Sequence, residues 1–359
     1  MSLRIAKSLS EPGDTRRPVR VRMLAVLVAA VLLVFAGAFT ASAREILDAT
    51  GRKVTVPDQP MRVFAAGPPA SVLLYALKPE AMIGWVRAPR DRDLPYLQTA
   101  THALPELGRL SGKGGTLNLE VLLAAKPDLI VDFGTVNETY LTLATKVQEQ
   151  TGVPYVLIDG SFANTPAAIR QMAEILGVPE RGEALASYAE ATFAMVTRVL
   201  EAVPPEDRPT VYLARGPEGL ESAARGAINA EIIDWAGGLN VVGGPDRGLV
   251  TTSVEQILAW APATVVTIDR DFARDVAALP GWSDVPAVRD ARVLLAPAAP
   301  FGFIDSPPSV NRLIGLRWLM HSFYPEVAEG DLGAEVVRFY KLFYHVTLDD
   351  AAVAGLLEN

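Results

Sequence analysis

Hydrophobic and polar positions along this chain follow two alternating periods. Short apolar runs of four to six residues occur at 62–67 (RVFAAG), 81–86 (AMIGWV), 128–133 (DLIVDF) and 154–159 (PYVLID). They recur at 210–215 (TVYLAR), 264–269 (TVVTID) and 291–297 (ARVLLAP). Runs of about this length, predominantly apolar, are the pattern of strands buried on both faces of a parallel sheet. Between them lie segments with apolar residues at helical spacing: 69–77, 138–152, 228–238 and 271–279. Strand-helix alternation of this kind predicts an α/β protein, with a mainly parallel sheet flanked by helices.

One unit is written twice. Residues 118–131 read NLEVLLAAKPDLIV and residues 253–266 read SVEQILAWAPATVV. Each copy starts with a residue suited to cap a helix, Asn118 or Ser253, because its side chain can accept from the free N–H groups of the first turn. Glu120 and Glu255 fall in that turn, where the helix dipole favours a carboxylate. Pro127 and Pro262 then stop the helix before an aliphatic strand. The duplication predicts two lobes in succession. Between them, residues 165–202 carry helical periodicity with a break at 177–180 (GVPE). The expected organisation is a segment 1–43, a first α/β lobe over 44–163, a linking long helix over 164–203 and a second α/β lobe over 204–359.

Segment 1–43 has a basic start with Arg16, Arg17, Arg20 and Arg22, an uncharged run from Met23 to Phe39, and Ala41-Ser42-Ala43 ahead of Arg44. This is the layout of a secretory signal peptide cleaved after Ala43. The 17-residue run is short for a membrane span, though a retained anchor stays open. The whole chain has 33 Lys and Arg against 41 Asp and Glu, net −8. Loss of the leader removes six basic and two acidic residues and makes it more acidic still. That balance argues against nucleic acid as a partner. There is no cysteine, so an exported form is held by its core alone, and a lipid anchor lacks the residue it needs. A freely diffusing, monomeric periplasmic protein fits these counts.

The duplicated unit, the lone spanning helix and the opening ILDATGRKVTVPDQPMRV (46–63) resemble the substrate-binding proteins of ABC importers for iron chelates and cobalamin. The stretch PFGFIDSPPSVNRLIGLRWLMHSFYPE (300–326) is similar to a branch of that family concerned with iron or related metal-complex uptake. The resemblance implies two α/β lobes joined by a single long helix, with ligand held between them. It implies a permease and an ATPase as partners. By position in the motif, Glu120 and Glu255 are the residues expected to dock onto the two permease subunits. The alternative is that each only supports its helix terminus.

In open parallel sheets, ligands sit beyond the carboxyl ends of the strands. Loops there carry Arg87, Arg109, Arg215 and Arg225, whose planar forks suit carboxylate or oxyanion groups. They also carry Tyr96, Tyr140, Phe301 and Phe303, whose rings suit the apolar part of a chelate. Each has a bland reading: Arg87 sits in a charged loop, Tyr140 in a helix. Asp305 and Arg312 flank SPPS, so a cap or a local ion pair is the role expected of Asp305. Trp235, Trp260 and Trp318 are expected in the core. The three histidines, His102, His321 and His345, are scattered, so no metal site and no resident cofactor are expected. The cargo is then a metal chelate, foremost a ferric siderophore complex, with molybdate or tungstate, haem and cobalamin as alternatives. No phosphate loop, nucleophile elbow or HExxH pair is present, and an enzymatic role is not expected; GGPDRG (243–248) reads as a turn.

Overall fold

A computed structural model describes residues 42–112, 119–244 and 248–358. The cap expected of Asn118, the leader up to residue 41 and the middle of the GGPDRG turn lie outside these residues. Among the described residues no helix is long and apolar enough to cross a membrane.

The first lobe opens with an antiparallel hairpin, β1 (Ala43–Leu47) and β2 (Lys53–Pro57). Its three-stranded sheet is wholly parallel, in the order β3 (Val63–Ala65), β4 (Leu129–Gly134), β5 (Tyr155–Asp159). Helix α1 (Pro68–Leu77) follows β3, α2 (Leu119–Ala125) precedes β4, and α3 (Glu138–Thr151) connects β4 to β5. β4 is buried along nearly its whole length, its apolar run interrupted only by Asp132 before the closing Gly134. The run 81–86 is not a strand. It makes single bridges at Val63–Met82 and Trp85–Glu106, and Trp85 enters an aromatic cluster with Tyr75 and Phe301. Gly84 has no room for a side chain beside Leu107 and the Pro105 carbonyl, so the path here is set by packing, which an apolar pattern does not encode.

The link is two helices. α4 (Thr165–Leu176) ends at Gly177, whose φ of 74° is left-handed, and α5 (Pro179–Glu201) runs back along it. Gly182 seats against Ala173, where a Cβ would lie 2.2 Å from that side chain. Arg170 of α4 pairs with Glu183 and Glu190 of α5. Only α5 therefore spans to the second lobe. At 23 residues it is about 35 Å long.

The second lobe contains β6 (Thr210–Ala214), β7 (Glu221–Ala223), α6 (Glu231–Trp235), β8 (Leu239–Asn240), β9 (Leu249–Thr251), α7 (Val254–Trp260), β10 (Thr264–Thr267), α8 (Arg270–Asp275), α9 (Pro286–Arg289) and β11 (Val293–Leu295). Its parallel sheet has the order β11-β10-β6-β8. Among the described residues, no strand pairing joins it to the first sheet. The duplicated unit holds the same place in both lobes: β4 lies between β3 and β5, and β10 lies between β6 and β11. Both helices of the unit end on a non-glycine residue in the left-handed region, Lys126 (φ 48°) and Ala261 (φ 45°), directly before the proline.

Three helices close the chain: α10 (Arg312–Phe323), α11 (Leu332–Phe343) and α12 (Asp350–Leu357). They do not stay with the second lobe. α11 packs on α1, Tyr75 donates to the Tyr344 carbonyl at 2.5 Å, and Arg181 of α5 donates to the Leu342 carbonyl at 2.8 Å. One continuous core thus includes residues from Val54 to Leu356.

Candidate functional site

β3 ends where the chain must turn into α1 beneath another loop. The Ala66 carbonyl accepts from both Leu110 N–H (2.8 Å) and Ser111 N–H (3.0 Å), which pins the Arg109 loop to the end of β3. Gly67, the cap residue of α1, is required by close approach, since a Cβ would lie 2.5 Å from Ser111 Oγ. Ser111 in turn donates to Asp132 Oδ1 at 3.0 Å, and Tyr155 donates to Oδ2 at 3.0 Å. Burial pushes the Asp132 carboxyl above the usual range, although both hydroxyls favour its charged form. In the first turn of α1, Ser71 Oγ is buried and meets no partner among the described residues.

From the second lobe, Arg215 leaves the end of β6 and lies between two carboxylates. Its Nη1 is 3.0 Å from Glu221 and its Nε 3.2 Å from Asp305. Neither contact is aligned as a hydrogen bond, so these are charge contacts with unspent donor capacity. Asp305 Oδ1 accepts from Asn229 Nδ2 at 2.8 Å and from Ser306 N–H at 2.7 Å. The segment Asp305–Arg312 then crosses to the first lobe. Ser309 Oγ donates to the Pro69 carbonyl at 2.8 Å, and Arg312 Nη2 donates to the Gly160 carbonyl at 3.2 Å. Asn311 braces it from within by donating to the Gly302 and Pro307 carbonyls. This polar strap joins the ends of β3, β5 and β6, the place where carboxyl-end loops of both sheets meet.

Of the residues expected at the ligand, the structure brings Arg215 to the strap and Arg109 to the α1 side. Arg109 is half-buried and lies close to Gly112. Arg87 is exposed. Arg225 donates from Nη2 to the Asn240 carbonyl at 2.8 Å and so braces β8. Tyr140 is half-buried on α3, its hydroxyl raised in pKa first by burial and then by the Asp132 charge. The rings are largely spent on packing. Phe303 is 0% exposed and packs in the main core, which corrects its expected place in the ligand wall. Phe301 packs on Tyr75, Trp85 and Tyr344, and Tyr96 packs edge-on to Tyr340. Trp235, Trp260 and Trp318 are all in or against the core. Glu120 and Glu255 are exposed in the first turns of α2 and α7.

Sequence reading missed Ser71, Ser111, Asp132, Asn229 and Ser309, and gave Asp305 a purely local role. The available signal was the density of polar residues in IDSPPSVNR, which is high for a buried segment. Among the described residues no group of three or more His, Cys, Asp or Glu side chains is placed to hold a metal ion.

Two separate parallel sheets, one spanning helix and a polar strap between the strand ends define a two-lobed solute-binding protein. The chain belongs to the family described as periplasmic binding protein, whose model matches residues 92–300. It is a solute-binding component of an ABC importer, with a permease and an ATPase as its partners, and family membership sets it outside the cytoplasm. It is similar to the molybdate-binding protein MolA of Haemophilus influenzae, with 26% identity covering 86% of this chain and 93% of that one. The structure of an ABC transporter solute binding protein from Sulfurospirillum deleyianum superposes with a TM-score of 0.81 at 27% identity, covering 88% of this chain and 99% of that one. The molybdate-bound structure of MolA superposes at 0.70 with 23% identity, covering 85% and 99%.

Proposed function

We propose that this protein captures a small oxyanion, of the molybdate or tungstate class, between its lobes and delivers it to its importer. The observation that carries this reading is the strap. Both lobes converge on it with polar groups, and Ser71 Oγ and the Arg215 Nε and Nη1 donors are buried there without an aligned acceptor. Compact tetrahedral anions are matched by a few convergent hydroxyl and guanidinium donors. The rings that would clasp haem or cobalamin are packed in the core instead. Similarity to a molybdate-binding protein over most of the chain supports the same class.

A ferric chelate, the cargo that the family resemblance puts first, is the second reading. It draws on Arg87 and Arg225, both exposed and able to meet the charge of a larger anionic complex. Thermal unfolding separates the two. Under the oxyanion reading, molybdate and tungstate raise the melting temperature, by about 2.7 kcal/mol of stability at a hundred times the dissociation constant. Ferric hydroxamate and haem leave it unchanged. Stabilisation by ferric hydroxamate with no response to either oxyanion transfers the assignment to the chelate.

A further inference from the structure

Arg312 is the largest charged side chain among the fully buried residues of the described chain, and every arm of it reaches a different part of the fold. Nη1 donates to the Ile228 carbonyl at 2.9 Å and to Glu231 Oε1 at 2.7 Å, both in the second lobe. Nη2 donates to the Gly160 carbonyl at the end of β5, in the first lobe. The guanidinium lies 4.6 Å over the ring of Phe162. The same Glu231 oxygen that receives Arg312 also accepts from Phe162 N–H at 3.1 Å, so charge and acceptor each cross the junction. Beneath them, Phe162 packs edge-on to Phe193 of the spanning helix (5.3 Å) and Trp235 of the second lobe (5.7 Å), while Phe193 and Trp235 stack at 4.6 Å.

A buried ion pair is a poor source of net stability, because desolvation offsets the attraction. Removing one partner is nevertheless costly, because it strands the other. What such a pair imposes is geometry: any change in lobe separation must pull the buried Arg312 guanidinium off the Gly160 carbonyl and the Glu231 carboxylate, which Arg312 holds in place, off the Phe162 N–H. We propose that Arg312 is a positioning residue, a latch that holds the two lobes at one separation in the empty protein, so that ligand enters a cleft already at its working width. The latch rests on the reading of the gap between the lobes as the ligand site, and not on which anion occupies it. Lobe separation is then set by a charge network at the strand ends as well as by the stiffness of α5.

The test uses distances, which need no ligand. The chain has no cysteine, so spin labels at Glu149→Cys and Ala278→Cys, exposed on the first and second lobes, report the interlobe distance alone. The otherwise unchanged protein is expected to give one narrow distribution that added molybdate does not shift. The double variant Arg312→Met, Glu231→Leu removes both charges while keeping apolar volume, the form of replacement that buried pairs tolerate. Its distribution is expected to broaden, and the molybdate off-rate to rise about tenfold, since affinity changes at a fixed site appear mainly in dissociation. A folded double variant with an unchanged distribution overturns the latch. Should that variant fail to fold, Arg312→Gln is too short to hold the Gly160 carbonyl, and an unchanged distribution there overturns it equally. A protein that ignores molybdate but still broadens on substitution sinks the oxyanion reading and leaves the latch standing.

Discussion

Asp132 shows how much one side chain organises. Its carboxylate sits at 5% exposure under Gly67 and holds Ser111, which holds the Arg109 loop. Burial raises its pKa above 3.8 in the folded state. Between 3.8 and that raised value the native state binds more protons than the unfolded chain, so this group's contribution to stability grows as pH falls and is lost as pH rises through the folded pKa. Asp132→Asn can keep one bond to each hydroxyl and carries no charge. The stability of the unsubstituted protein minus that of the variant should therefore climb on acidification through this window and flatten below 3.8. Urea titrations at stepped pH measure it, and a level difference would remove the role assigned to burial.

Among the elements, α2 and α7 are the pair the duplicated unit announced. Ser253 caps α7 by accepting from Gln256 N–H, while the Gln256 side-chain oxygen accepts from Ser253 N–H in return. Glu255 is held below the usual carboxylate range first by its bond from Ser253, and stays charged at neutral pH. We read these two exposed first-turn glutamates as matched contacts for the two halves of the permease, orienting the encounter without adding much affinity. Glu120→Ala with Glu255→Ala should lower uptake in cells several-fold at normal cargo binding by the purified protein; undiminished uptake would return both residues to helix support. The repeat was legible because capping, dipole and proline stops are local rules. The break at GVPE was legible as a break, but its outcome as an antiparallel hairpin depends on Ala173 and Gly182 meeting, a contact between helices.

At the level of the whole molecule, the two sheets are distinct but the core is not. Residues 43–359 form one compact unit, because α11 and the Tyr344–His345 turn lie across α1 and the start of α5. His345 Nε2 donates to the Tyr75 carbonyl at 3.1 Å and lies 3.1 Å from Arg181 Nη2. Burial is the first cause of its lowered pKa. A core shared this widely makes independent unfolding of the lobes expensive. Urea unfolding followed by tryptophan fluorescence and by far-ultraviolet circular dichroism should give coincident transitions. Two separated midpoints would mean that the lobes are held together by less than this packing indicates.

Periodicity, caps and proline stops determined the class of fold, most of the long parallel strands, the two lobes and the positions of Glu120 and Glu255, because each depends on residues close in the chain. Arg215 was within reach for the same reason, being the residue that follows its strand. The partners of Arg215, the burial of Phe303, the return of α11 to the first lobe and the joining of Arg312 to Gly160 were decided only in three dimensions. The contacts of Arg215 with Asp305, of Arg312 with Glu231 and Gly160 and of Tyr75 with Tyr344 link residues from 81 to 269 positions apart, and a pattern read along the chain has no term for which distant surfaces will meet.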